Sequence, residues 1–183
     1  ELEFRDAATI PQRYRESFDA AGITEDVELC LRHRWMLYKY RLDPKYMMRL
    51  NEKYGEFDWR LPEAHAVYWA QKGGMVCDRM IFQALSAAFS TGKLLYLKGD
   101  LKSLQMQPNF AVADSARESY LTAIKEFPRN NIQGAFSNFL VDSVVRLYIF
   151  GYKKKAANWF EYAKEFNPSR FQGEMEPFVV KEL

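Results

Sequence analysis

The stretch that decides the fold is residues 136–168, with the sequence FSNFLVDSVVRLYIFGYKKKAANWFEYAKEFNP. Apolar residues recur in its first half at steps of three and four, which is the spacing of one face of an α-helix. Gly151 is placed to end that helix, because glycine adopts the left-handed conformation at little cost. Pro168 prevents a second helix from continuing. The stretch therefore predicts two helices folded back on each other.

The second of these helices combines small residues with one large ring. Ala156 and Ala163 flank Phe160, so a partner helix can approach closely while the ring fills the remaining space. Together with Gly151 and Pro168, this order of residue types resembles a tetratricopeptide (TPR) repeat. The resemblance implies stacked antiparallel helix pairs, a concave surface lined by the first helix of each pair, and binding of proteins rather than catalysis.

The same spacing occurs once more, 40 residues earlier in the chain. A strict TPR has 34 residues, so an offset of 40 predicts an insertion. The residues that repeat the spacing are Ala116, Tyr120, Ala123 and Pro128. Residues 93–107 lie upstream, where the partner helix of this copy should be, and their apolar residues alternate around Gly99. They predict a small β-hairpin, with an irregular loop as the alternative.

The whole chain is predicted to be mainly α. An N-terminal helical section, 1–61, precedes a TPR-like helical array, 62–168, and a tail, 169–183. The tail is expected to be extended and to dock through Phe178 and Val179. The helix that starts at Thr24 is expected to run to about Leu42 and to be central to its bundle, because it is apolar around much of its circumference.

The composition excludes several classes of protein. The chain has 183 residues and a net charge of +2, too small to argue for nucleic acid, which is not expected as a partner. Cys30 and Cys77 are interpreted as small core residues on helices, although one disulfide between them stays open. No apolar run is long enough to span a membrane. The chain begins with Glu1, so a signal peptide or anchor could precede it, and the compartment stays open.

The stretch 32–49, RHRWMLYKYRLDPKYMMR, interleaves basic and aromatic residues. Some proteins that bind single-stranded nucleic acid share this pattern. On a helix, however, the aromatic residues fall on the same stripes as its other apolar residues. We therefore expect them to be buried, with the basic side chains reaching past them to water.

Catalytic motifs are not found in the sequence. It contains no phosphate-binding loop, dinucleotide fingerprint or nucleophile elbow, and no paired cysteine spacing typical of a metal site. No cofactor is therefore expected. An enzyme of unrecognised type remains an alternative, with a site formed near Asp58, Arg60, Glu63 and His65.

The leading hypothesis is a non-enzymatic scaffold or an accessory subunit of a larger complex, which binds a protein partner. The loop before Pro62 carries Trp59 and Arg60, residue types that often anchor interfaces. The TPR resemblance implies further partner contacts at Glu63, Val67 and Gln71 in an earlier pair, and at Asn138, Val141, Val145 and Tyr148 in the best repeat. A third hypothesis is a peripheral membrane module whose anchor precedes Glu1.

Overall fold

The computed structural model describes residues 4, 7–73, 78–97, 100–128 and 131–183. The chain divides into two compact units, residues 1–52 and 53–183. As predicted, the fold is mainly α with one small antiparallel hairpin. Cys77 and the predicted turn residue Gly99 lie outside the described residues.

The first unit is helical. It contains α1 (Gln12–Ala21), α2 (Thr24–Trp35), a π-helical turn (Met36–Tyr40) and most of α3 (Pro44–Tyr54). The second unit holds the remaining elements in the order α4 (Pro62–Lys72), α5 (Asp78–Thr91), β1 (Lys93–Leu97), β2 (Asp100–Gln107), a 3-10 turn (Phe110–Val112), α6 (Ala113–Glu126), α7 (Ile132–Ile149), α8 (Lys153–Phe166) and α9 (Met175–Glu182).

Four expectations for the first unit are wrong. Helix α2 ends at Trp35 rather than near Leu42, because the backbone widens into the π-helical turn and Arg41 then adopts φ +59°. Leu31 is the residue of α2 that is buried, so this helix is not central to a bundle. Tyr38 and Tyr40 are exposed, although the helical stripes predicted burial. Cys30, expected in a core, is also exposed.

Helices of the second unit pack in adjacent pairs. Helix α4 packs against α5, α5 against α6, and α7 against α8. The turn between α7 and α8 contains Gly151 at φ +84°, the left-handed conformation that its position in the sequence predicted. Phe136 near the start of α7 lies 4.8 Å from Phe166 at the end of α8, measured between ring centroids, so this pair is antiparallel.

The two copies of the repeated spacing are buried in the core of the second unit. All six of their alanine and aromatic residues are buried, namely Ala116, Tyr120, Ala123, Ala156, Phe160 and Ala163. The helix that packs against α6 is α5, which precedes the hairpin in the chain. The insertion therefore lies inside a helix pair and does not replace one of its helices.

Aromatic rings connect the pair α5–α6 with the pair α7–α8. Phe139 on α7 contacts the rings of Phe89 on α5, Tyr120 on α6 and Trp159 on α8, at centroid distances of 5.4, 5.2 and 6.0 Å. Burial of a large ring among four helices contributes on the order of 2–3 kcal/mol. The high aromatic content of the sequence is thus partly explained by this core.

The C-terminal segment differs from its prediction. Residues 169–183 are not extended throughout, because Met175–Glu182 form α9, which packs against α7. Phe178 and Val179 are buried, as expected of the docking residues. The Phe178 ring lies 5.1 Å from that of Phe160, so α9 covers an apolar side chain of the pair α7–α8.

The burial of the small residues makes the helix pairs sensitive to added volume. We expect Ala163→Leu to lower the free energy of unfolding by roughly 1–3 kcal/mol, because Ala163 is fully buried and a larger side chain forces its neighbours apart. Chemical denaturation of the full chain measures the change.

Ala87→Leu is the matched control, because Ala87 lies on helix α5 of the same unit and is exposed. We expect its effect to stay within about 0.5 kcal/mol. Equal effects of the two substitutions would mean that Ala163 does not face a closely packed helix.

Candidate functional site

The loop before α4 is organised by the carboxylate of Asp58. Its oxygen Oδ1 accepts from Arg60 Nε at 2.7 Å, and Oδ2 accepts from Arg60 Nη2 at 2.6 Å. The backbone N–H of Arg60 donates to Oδ1 as well, at 3.2 Å. Asp58 therefore pairs with Arg60 through both carboxylate oxygens, in the bidentate geometry that favours strong ion pairs.

The same ion pair binds the edge of strand β1. The Leu94 N–H donates to Asp58 Oδ2 at 3.0 Å, and the Leu94 carbonyl accepts from Arg60 Nη2 at 2.9 Å. A neighbouring strand would offer the same acceptor and donor to Leu94. The ion pair thus satisfies the outer edge of β1 at this residue, which is one way in which proteins protect exposed sheet edges.

These contacts set the protonation state of Asp58. The hydrogen bonds from the Arg60 side chain lower the pKa of Asp58 to about 2, and the N–H groups of Leu94 and Arg60 act in the same direction. Partial burial opposes the shift, because it disfavours the charged form. Asp58 is therefore ionised throughout the neutral range.

A buried residue after β2, Asn109, also attaches the open end of the hairpin to the loop. Asn109 is fully buried, and its Nδ2 donates to the Glu56 carbonyl at 2.7 Å. Its backbone N–H donates to the Phe89 carbonyl at 3.0 Å. Gly55 lies beside this contact at φ +104°, where a Cβ would collide with the Ala111 carbonyl. The loop 55–60 is therefore attached both to the residues after β2 and to the start of β1.

The hairpin held in this way exposes large apolar side chains. Strands β1 and β2 are antiparallel, with Leu94 opposite Met106 and an irregularity between Leu95 and Leu97. The exposed fractions are 47% for Leu95, 49% for Tyr96, 46% for Leu104 and 60% for Met106. Sequence reasoning found the hairpin but missed these residues as a candidate site, because alternation alone does not reveal that neither face is fully covered.

A cleft of about 320 Å³ lies between the loop and β1, and includes two predicted site residues, Trp59 and Arg60. The Trp59 ring is half-buried and packs edge-on against Phe57 and Tyr68. Arg60 is exposed, and its guanidinium lies 5.8 Å from the centre of the Tyr96 ring. The described residues that line this cleft are Glu56, Phe57, Asp58, Trp59, Arg60, Lys93, Leu94 and Leu95.

Three of the four residues named for a possible enzyme site make polar contacts within the fold, whereas Glu63 Oε2 is buried without a hydrogen-bond partner among the described residues. His65 Nε2 lies 2.8 Å from the Trp59 carbonyl, and since a carbonyl only accepts, this nitrogen carries the proton. Glu63 and His65 are not among the residues that line the cleft beside Asp58. The described residues also contain no group of three or more potential metal ligands. Of these four residues, Asp58 and Arg60 line this cleft.

The predicted groove residues of α4 fall in different surroundings. Val67 is fully buried, so in this structure its side chain has no surface to offer a partner, because it faces the core rather than a groove. Glu63 is half-buried. Gln71 accepts from Lys53 Nζ at 2.9 Å and borders a polar cleft of about 300 Å³. The residues of α6 that line the same cleft are Ser115, Glu118, Ser119 and Thr122.

Two of the four predicted groove residues of α7, Asn138 and Tyr148, contact the C-terminal segment. Asn138 Oδ1 accepts from Arg170 Nη1 at 2.6 Å, and the Tyr148 hydroxyl donates to Glu176 Oε1 at 3.1 Å. Val141 is buried and Val145 is half-buried. Since α9 packs against α7, this face of the helix is already occupied by the chain itself.

Comparison of the chain with protein-family models, with curated proteins and with solved structures finds no significant match. Among the described residues, no helix is both long enough and apolar enough to cross a membrane.

The contacts of Asp58 lead to a prediction about stability. We expect Asp58→Asn to lower the free energy of unfolding by about 1–3 kcal/mol at neutral pH, because the variant loses an ion pair and hydrogen bonds to a charged acceptor. Asp114→Asn is the matched control, since Asp114 is more exposed and its two ion pairs are longer, at 3.5 and 3.7 Å. Urea unfolding of both variants measures the difference.

The same contacts predict a dependence on pH. The pKa of Asp58 falls from 3.8 to about 2 on folding, so the unfolded state takes up the proton first as the pH is lowered. Its stabilising contribution is therefore present above about pH 4 and is lost as the pH falls towards 2. We expect a smaller loss of stability over this range in Asp58→Asn than in the unmodified chain. An identical acid dependence in both would contradict the assignment.

Proposed function

We propose that this protein is a non-enzymatic scaffold or accessory subunit that binds a partner protein through its hairpin and the adjoining Trp59 loop. We further propose that the pairs α5–α6 and α7–α8 are TPR-like repeats, with the hairpin inserted in the first. The observation that carries the proposal is the exposure of Leu95, Tyr96, Leu104 and Met106 on a hairpin that is fixed to the fold.

The low intrinsic stability of such a hairpin supports a role in binding. A two-stranded hairpin is marginal in water, and exposed apolar side chains do nothing to stabilise it. This one is nevertheless fixed by the ion pair of Asp58 and Arg60 and by the buried Asn109. A rigid apolar surface loses little conformational entropy when a partner covers it, which favours affinity.

One face of the hairpin is the more suitable surface. Residues two apart on a strand share a face. In the regular part of the pairing, Leu94 lies opposite Met106. Tyr96 and Leu104 lie two residues further along their strands, at the irregularity, and both are exposed. Tyr96, Leu104 and Met106 define what we call the hairpin face. Trp59 and Leu95 border the neighbouring cleft.

Charge around the hairpin face indicates the chemistry of the partner. Arg60 lies over Tyr96, but its charge is paired with that of Asp58, whereas Lys93 is exposed at the start of β1. A partner segment with apolar side chains and a carboxylate near Lys93 would complement this surface. A second copy of the same chain would bring two Lys93 side chains together, which is unfavourable.

The face of α7 is a less direct candidate for the partner. A peptide that used Asn138 and Tyr148 would first have to displace Arg170 and Glu176 from them. The hairpin face needs no such displacement. We therefore assign the first contact with the partner to the hairpin.

The experiment is purification of the tagged full chain, under mild conditions, from cells that make the protein. We expect a companion protein in stoichiometric amount. Leu104→Ser combined with Met106→Ser should weaken its binding on the order of 100-fold, because two apolar side chains of the interface are lost. Both positions are exposed, so the melting temperature of the free chain should change little.

Val180→Ser is the control, because Val180 is also apolar and exposed but lies on α9. Retention of the companion by the control and loss by the double variant would support the proposal. Equal retention by both, a companion that consists only of further copies of this chain, or no companion at all would each contradict it.

A further inference from the structure

The first unit carries a second exposed surface, whose role is separate from that proposed for the hairpin. The π-helical turn is closed by a hydrogen bond from the Leu42 N–H to the Met36 carbonyl, at 3.1 Å. Arg41 follows at φ +59°, and Leu42 is buried. The five residues between Met36 and Leu42 are all exposed. The turn therefore projects a short run of side chains into solvent.

The run mixes apolar and cationic side chains. Leu37, Tyr38 and Tyr40 are exposed by 36%, 72% and 51%. Lys39 and Arg41 are exposed between and beside them. A π-helical segment departs from regular α-helical geometry and occurs frequently at functional sites. Here it leaves Tyr38 exposed and Tyr40 half exposed, packed edge-on against Trp35, although both continue a helix whose pattern predicts their burial.

Helix α3, which follows in the chain, adds further exposed residues. Its residues Lys45, Met48 and Arg49 are exposed and lie three or four positions apart, on one face of the helix. Met47 and Leu50 are buried on the other face. We call the exposed residues of 37–49 the basic tyrosine surface.

The basic tyrosine surface is unusually positive for this chain. Residues 37–49 contain four lysines and arginines and one carboxylate, whereas the whole chain has 26 basic and 24 acidic residues. The single carboxylate, Asp43, accepts from the backbone N–H of Lys45 at 2.9 Å and so serves the start of α3. The surface is therefore complementary to an anionic partner.

We infer that the basic tyrosine surface binds the anionic face of a lipid bilayer. Lysines and arginines near such a surface contribute about 1 kcal/mol each, and tyrosine rings favour the boundary between hydrocarbon and water. Leu37 and Met48 add aliphatic side chains, which a bilayer accommodates. Single-stranded nucleic acid would instead require successive rings for stacking, and two of the four exposed apolar residues, Leu37 and Met48, have none.

The experiment is co-sedimentation of the full chain with vesicles of phosphatidylcholine, with and without phosphatidylserine. We expect binding only to the vesicles that contain phosphatidylserine. Binding should weaken at least tenfold between about 0.1 M and about 0.5 M salt, because screening acts over a few ångströms at the higher concentration.

Two variants separate the contributions of charge and of apolar contact. Lys39→Gln, Lys45→Gln and Arg49→Gln together should weaken vesicle binding on the order of 100-fold. Tyr38→Ser with Met48→Ser should weaken it on the order of tenfold while leaving the dependence on phosphatidylserine intact. All five positions are partly or fully exposed, and circular dichroism of each variant checks that it is folded.

Lys153→Gln with Lys154→Gln is the matched control, because these lysines are exposed at the start of α8 in the other unit. The inference is overturned if the control loses as much binding as the triple variant, or if neutral vesicles bind equally well. It is also overturned if the chain binds single-stranded oligothymidine through these residues and does not sediment with either vesicle.

Discussion

The second unit depends on the packing of one ring, that of Phe139. This ring contacts Phe89, Tyr120 and Trp159, and thereby joins helices from both pairs. The backbone of Phe89 also accepts the N–H of Asn109, whose side chain holds the loop at Glu56. The core is therefore connected, through successive contacts, to the loop that carries Asp58. The position of the hairpin is set by helix packing as much as by its own hydrogen bonds.

In this hairpin, the backbone edge of β1 and the exposed side chains have different roles. The ion pair of Asp58 and Arg60 occupies the outer edge of β1 at Leu94, which protects it from unspecific pairing with another strand. The side chains of the hairpin face remain exposed. A partner would therefore be recognised by side chains rather than by strand addition at this residue. On α7, by contrast, the C-terminal segment already occupies the predicted groove.

Much of the fold could be predicted from the sequence because its strongest signals are local. The spacing of Ala156, Phe160 and Ala163, and the alternation in 93–107, report directly on helix packing and strand formation. The pairing of α5 with α6 could not be predicted, because nothing local shows which helix fills the space beside Ala116. Likewise, Val67 has the helical position of a groove residue but lies in the core, since periodicity identifies a face and not what covers it. Exposure of Tyr38 and Tyr40 was missed for a similar reason: one additional residue in a helical turn changes which side chains face solvent.

The central claim is that the hairpin face is covered by a partner protein. Hydrogen exchange of backbone amides, compared between the free full chain and its native assembly, tests it most directly. The account predicts slower exchange in β1 and β2 within the assembly, with little change on the face of α7 that α9 occupies. Unchanged exchange in both strands, together with slower exchange along α7, would contradict the account and assign the partner to the groove.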